Sequence, residues 1–180
     1  KTTLEPLQDA IELSRNQGDF EFAGYTTIAY TIHLFFIGEP LTVVAKQYHK
    51  YLELMTTLKQ SFAPPFINIW QQLVANLMSI EVINSPTLLK GEYLDETKIL
   101  PWLIETNNHS SLFAFHLVKC MLNYWFNDFE AAIAQAQLAR PHEMAVTGLL
   151  LIAELNFYES LARLAHAQSL ATGDTTALIE

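Results

Sequence analysis

The chain has 180 residues, 51% of them apolar and only 16% charged, with a net charge of −9 and one cysteine. That length suffices for one domain with a real core, burying roughly 70% of the surface its unfolded chain exposes. The acidic balance excludes a basic surface for phosphates, and with it nucleic-acid or anionic-membrane binding, while the lone Cys120 excludes an internal disulfide framework and a Cys-based zinc site.

Helical signals run through the whole chain. Glycine and proline are few and sit mostly between periodic segments, and no period-2 strand pattern or Asn-Gly hairpin signal persists. In chain order the pattern predicts helices over Leu4–Gln17, Phe20–Ile37, Leu41–Lys59, Pro65–Ile83, a short one over Glu96–Thr106, then Ser110–Phe126, Phe129–Ala139 and a long His142–Thr172, as one helix or broken in two. Asn84–Asp95 reads as the longest irregular connection and as an exposed loop.

The second helix poses a question, because Ala23–Ile37 contains no Asp, Glu, Lys or Arg. At 15 residues, with His33 and three threonines, it falls short of the ~20 apolar residues of a membrane span. It reads as a helix buried on several faces, with Phe20, Tyr25, Ile28, Ile32, Phe35 and Phe36 satisfied inside a helical stack.

An internal repeat supports that stack. "GDFEFA" (Gly18–Ala23) recurs as "NDFEAA" (Asn127–Ala132), 109 residues later. Gly18 or Asn127 suits a left-handed residue ending one helix. Asp19 or Asp128 caps the next, and Ala23 or Ala132 lets the paired helix come close. About three helical hairpins of ~34–40 residues fit the interval. The fold expected is all-α, one domain over residues 1–180, built of stacked antiparallel helical hairpins in a tetratricopeptide-like right-handed solenoid.

Chemistry is harder to find. Walker and dinucleotide glycine loops are absent, as are the protein-kinase His-Arg-Asp and Asp-Phe-Gly signatures. His116 and Cys120 lie one helical turn apart in an apolar run, where core packing is the better reading than a two-ligand metal site. Glu105 and His109 read as a surface pair. Cys120 lacks an activating base and reads as an inert buried thiol, and Ser160 lacks a nucleophile elbow. His142-Glu143 resembles a phospho-accepting histidine without the following Arg and Pro, so Pro141-His142-Glu143 is read as a helix start. No catalytic, cofactor or metal residue is assigned. Tyr48 and Tyr51 (beside Lys46 and Lys50), with Tyr124 and Trp125, are the candidate partner-binding aromatics.

Five phrases carry a family resemblance: "GDFEFAGY" (Gly18–Tyr25), "FFIGEPL" (Phe35–Leu41), "GEYLDETKILP" (Gly91–Pro101), "LNYWFNDFEAAIAQAQLA" (Leu122–Ala139) and "NFYESLARLA" (Asn156–Ala165). In this order they resemble the helical region of bacterial, cyanobacterial-type multidomain signalling proteins. Those proteins join a serine/threonine kinase, a predicted ATPase, this segment, a small-molecule-sensing domain and a sensor histidine kinase. Glu159 stands where the family phrase tends to have Asp. The resemblance implies a tetratricopeptide-like connector in a cytoplasmic protein, with catalysis in other domains and no catalytic residue to carry over. The start at Lys1, inside a helix, agrees with a piece of a longer chain.

Three functions are therefore expected in order. The first is a non-catalytic interaction and relay module, whose partners are neighbouring domains of the same chain or another signalling protein. The second is a ligand sensor holding a small molecule or peptide in an internal pocket. The third is an enzyme of unrecognised chemistry.

Overall fold

Eight α-helices follow one another along the described residues, 3–79 and 85–176 of a computed structural model, with no strand among them. They are α1 (Leu4–Gln17), α2 (Phe20–Phe36), α3 (Leu41–Thr57), α4 (Ala63–Met78), α5 (Glu96–Glu105), α6 (His109–Trp125), α7 (Phe129–Ala139) and α8 (Leu151–Thr176), with a 3-10 helix at Arg140–Val146 between the last two. The protein is all-helical. No helix among the described residues is long and apolar enough to cross a membrane.

The repeat has the mechanical meaning its residues suggest. Gly18 takes a left-handed φ of 76°, its N–H donates to the Arg15 carbonyl and that of Asp19 to the Ser14 carbonyl. Asn127 takes φ 64° and repeats both bonds, to Tyr124 and Asn123. Each aspartate then accepts from the third N–H of the next helix at 3.1 Å, Asp19 from Phe22 and Asp128 from Ala131. A third copy escaped the sequence pattern. Asn107 (φ 51°) ends α5, and Asn108 caps α6 by accepting from the Ser111 N–H at 3.2 Å. Asparagine tolerates the left-handed region and caps a helix, so "TNNHSS" does the same work in different letters.

Neighbours in sequence pack in pairs, α1 on α2, α3 on α4 and α6 on α7, and α4 on α6 joins the two halves. The apolar α2 lies against α1, α3 and α4, and its Thr26, Thr27 and Thr31 hydroxyls donate to carbonyls one turn back in their own helix. That satisfies the hydroxyls without lipid or water. The side chains of α2 are not all enclosed, however. Ile28 and Ile32 are core and Phe35 and Phe36 pack half-buried on Trp70, whereas Phe20 is exposed and Tyr25 is 54% exposed. α6 is the central helix, buried almost all round from Ser111 to Asn123 and touching α4, α5, α7, the 3-10 helix and α8.

Several boundaries differ from the sequence reading, α3 for one ending at Thr57 rather than Lys59. α4 begins two residues early at Ala63 and stops at Met78; the expected continuation over 80–83 lies outside the described residues, as does Asn84. No single helix starts at His142. Arg140–Val146 is a 3-10 helix, followed by a tight turn in which Leu149 N–H donates to the Val146 carbonyl at 3.0 Å. Gly148 takes φ 85° there, which breaks the helical run before Leu151.

The 85–95 connection is irregular, as expected, but it is fastened rather than loose. Leu89 and Leu94 are core residues. Asn76 of α4 donates to the carbonyls of Pro86 (3.0 Å) and Leu88 (2.8 Å), and Gln72 accepts from the N–H groups of Tyr93 and Leu94. Lys119 of α6 donates to the Thr87 carbonyl and pairs with Glu96 at 2.8 Å.

Candidate functional site

The sequence offered four aromatics as a partner surface, and the structure does not gather them in one groove; of the four, Tyr51 borders a small cleft of about 250 Å³ between α1 and α3. Tyr48 and Tyr51 are buried, Tyr48 fully, with its hydroxyl donating to the Thr31 carbonyl at 2.9 Å. Burial pushes that hydroxyl well above the ordinary tyrosine range. Helical spacing put them beside Lys46 and Lys50, but their face turns inward, and only Lys50 stays close, over the Tyr51 ring. Tyr124 and Trp125 are half-buried and meet Tyr158 edge-on at 5.8 and 5.6 Å, so they tie α8 to the end of α6.

The concave site lies elsewhere. A cleft of about 640 Å³ opens between α2, the loop before α4, the α5–α6 corner and the turn after the 3-10 helix. Tyr25 and Ile28 of α2, Phe62 and Phe66, and Trp102 of α5 supply its apolar walls. The corner at Asn107–Ser110 supplies a polar edge, and Ala145 and Leu149 the far side. Among the described residues no Asp, Glu, Lys or Arg lines it. Tyr25 and Trp102, 54% and 41% exposed, have much of their ring surface available to an occupant.

Local sequence explains the walls. Phe62 reaches Tyr25 with ring centroids 4.7 Å apart because Gly24 leaves room; a Cβ there would come within 2.7 Å of the tip of the Phe62 ring. Tyr25 also donates to Glu21 at 3.1 Å, and that bond together with the carboxylate charge raises its hydroxyl pKa. The short α5 carries Ile99, Leu100, Trp102, Leu103 and Ile104, more apolar side chains than one inward face can take. Leu103 is buried, and Trp102 and Ile104 face outward. That surplus was the sequence signal for Trp102. Tyr25 carried no comparable mark, since it reads as one more apolar position of α2.

Three histidines gather beside the polar edge. His109, the first residue of α6, meets His142 of the 3-10 helix with their Nδ1 atoms 2.8 Å apart. The His116 ring lies parallel to that of His142, centroids 6.3 Å apart. His116 Nδ1 is 2.8 Å from Gln135 Oε1, an acceptor only, so the proton sits on Nδ1. Burial lowers the pKa of His116, and burial followed by His109 and His116 lowers that of His142. His109 thus pairs with His142 rather than the expected Glu105, whereas His116 and Cys120 are both buried, as the core-packing reading expected, with His116 bonded to Gln135. Burial drives the Cys120 thiol up to about 12. No group of three or more metal-ligating side chains occurs among the described residues.

The far side of the cleft is held by ion pairs. Arg140, which opens the 3-10 helix, donates to Glu143 at 2.5 Å, to Asn156 at 2.8 Å and to Glu159 of α8, and Arg163 also donates to Glu159. Burial alone would raise the Glu159 carboxyl, but the bonds from Arg140 and then Arg163 outweigh it and hold it below the usual range. Compared with family models, with curated proteins and with solved structures, the chain gives no match in any of the three.

Proposed function

We propose that this domain is an interaction and relay module that does no chemistry of its own, and that the cleft seats an apolar, uncharged segment of a neighbouring domain or of another signalling protein. The cleft carries the reading. Its walls are aromatic and partly exposed, and among the described residues no Asp, Glu, Lys or Arg lines it to compensate a buried charge on an occupant. Its walls come from α2, α4, α5, α6 and the turn before α8, so an occupant would touch both halves of the chain at once. That is the property a relay needs, because a ligand shifts a conformational equilibrium only by its differential contacts with the two states.

The matching cap geometry at Gly18–Asp19 and Asn127–Asp128 supports reading the hairpins as layers of a tetratricopeptide-like right-handed solenoid. The five phrases that resemble bacterial multidomain kinases support a cytoplasmic setting between an ATPase and a kinase domain. The second reading, a sensor of a small molecule or peptide, is favoured by one observation. A cleft of about 640 Å³ falls within the ~300–1,000 Å³ of small-ligand pockets.

Hydrogen exchange at the amides around Trp102 and Phe62 separates the two, compared between this 180-residue domain and a longer chain carrying its neighbours. Protection gained only in the longer chain supports the relay. Thermal stabilisation of the isolated domain by a metabolite, abolished in Trp102→Ala, supports the sensor. Equal exchange in both chains, with no stabilising compound, refutes the cleft as a binding site.

A further inference from the structure

We propose that His109 and His142 form a proton-operated latch that holds the 3-10 helix against the start of α6 and so sets the width of the cleft. The contact spans 33 positions of sequence and joins two elements that both line the cleft, His109 itself on one side and Ala145 on the other. With both rings neutral, one Nδ1–H donates and the other Nδ1 accepts. A first proton adds to the Nε2 of the donor ring and leaves that bond intact. A second must add to the accepting Nδ1, which sets two N–H groups and two positive charges face to face, and the contact breaks.

The surroundings favour separation once that proton arrives. Several charged groups of the elements packed against the 3-10 helix are engaged with one another: Arg140 with Glu143 and Glu159, Arg163 with Glu159, and Lys119 with Glu96, while Glu130 of α7 and Glu154 of α8 stand outside those pairs. Glu105, at the end of α5, is exposed. From α7 the facing group is the uncharged Gln135, held by His116. His116, parallel to His142, adds a third imidazole on the same side. Among the described residues no carboxylate is bonded to His109 or His142, so nothing in contact compensates a doubly charged pair. Burial, His109 and His116 all favour the neutral form of His142. The turn beyond the 3-10 helix, with Gly148 at φ 85°, provides the swivel.

The inference rests on reading the cleft as a binding site, but its test uses the free protein and fails separately from that reading. The chain is labelled with 5-fluorotryptophan, and the resonances are assigned with Trp102→Phe and Trp125→Phe. Trp102 reports the cleft; the fully buried Trp70 and far-UV circular dichroism report global unfolding. Between pH 8 and pH 5 the Trp102 resonance is expected to shift while Trp70 stays. His142→Asn keeps an amide that can replace Nδ1 in the hydrogen bond without taking a proton, so the shift disappears. His109→Asn, at an exposed position that cannot upset the core, does the same. His142→Leu, which cannot bond, shows the low-pH position already at pH 8. A Trp102 resonance that does not move in the wild type, or that titrates unchanged in both asparagine variants, overturns the latch.

Discussion

Asn76→Ala tests how the 85–95 connection is held. The side chain of Asn76 is 1% exposed and makes three bonds: two donated to the carbonyls of Pro86 and Leu88, and one accepted from Gln72 at 2.8 Å. Alanine strands the buried Gln72 amide, at about 1–3 kcal/mol for an unsatisfied polar group, and removes two partly buried bonds of about 0.5–1 kcal/mol each. The sum, about 2–5 kcal/mol, is a large part of the ~5–15 kcal/mol that holds a typical domain together. Urea unfolding measures it, and hydrogen exchange at the Tyr93 and Leu94 amides, both bonded to Gln72, locates it. Gly91→Ala should act on the same clamp, because its Cβ would lie 2.6 Å from Gln72 Nε2. The two substitutions are therefore expected to be non-additive. A loss under about 0.5 kcal/mol with unchanged protection at Tyr93 and Leu94 would refute the clamp, since that is the ordinary scatter of surface substitutions.

Other outcomes follow from the same physics. Glu159→Gln removes the charge shared by Arg140 and Arg163; with their side chains 38% and 52% exposed, two screened pairs of about 0.2–1 kcal/mol each make the cost about 0.4–2 kcal/mol, read by thermal unfolding. The folded Glu159 carboxyl titrates below its ordinary value of 4.5, so its contribution is present above that pH and fades as pH falls below it; the glutamine variant loses this component of acid sensitivity. His33, His116 and His142 all titrate below the ordinary histidine value of 6.5 in the folded chain, with burial the first cause of each. The folded state then binds fewer protons than the unfolded one. Stability should be full above pH 7 and decline as pH falls through 6.5, before the carboxylates titrate; equal urea midpoints at pH 7.5 and 5.5 would contradict this. Cys120, buried and raised to about 12, should resist iodoacetamide at pH 8 until urea unfolds the chain. Asp128→Ala removes one N-terminal cap and should cost about 1 kcal/mol by urea unfolding, with no change in helix content at pH 7.

Local chemistry was legible wherever one residue type does one mechanical job. Gly18–Asp19 and Asn127–Asp128 announced a left-handed ending and a capped start, and both formed with the same bonds. The third such corner, Asn107–Asn108, was passed over because asparagine plays both parts there and no aspartate marks the cap. His142 misled for a related reason. Proline and glutamate mark a helical start equally well for an α-helix and for a 3-10 turn, and only Gly148, six residues on, ends the run.

Sequence alone therefore determined that the chain is helical, where most helices begin and end, and that charge is too scarce to dress the whole surface. Those properties depend on neighbours within about four residues, which the string displays directly. Which aromatics are core and which line a cleft was decided only in three dimensions. Tyr48 stands among Lys46, Gln47, His49 and Lys50 and Tyr25 in an uncharged run, yet Tyr48 is the one enclosed by α2 and α4 and Tyr25 opens onto the loop before α4. The same holds for the His109–His142 contact and for the clamp on residues 85–95. Each joins side chains many turns apart, and helix periodicity specifies which face a residue is on, not which other helix that face will meet.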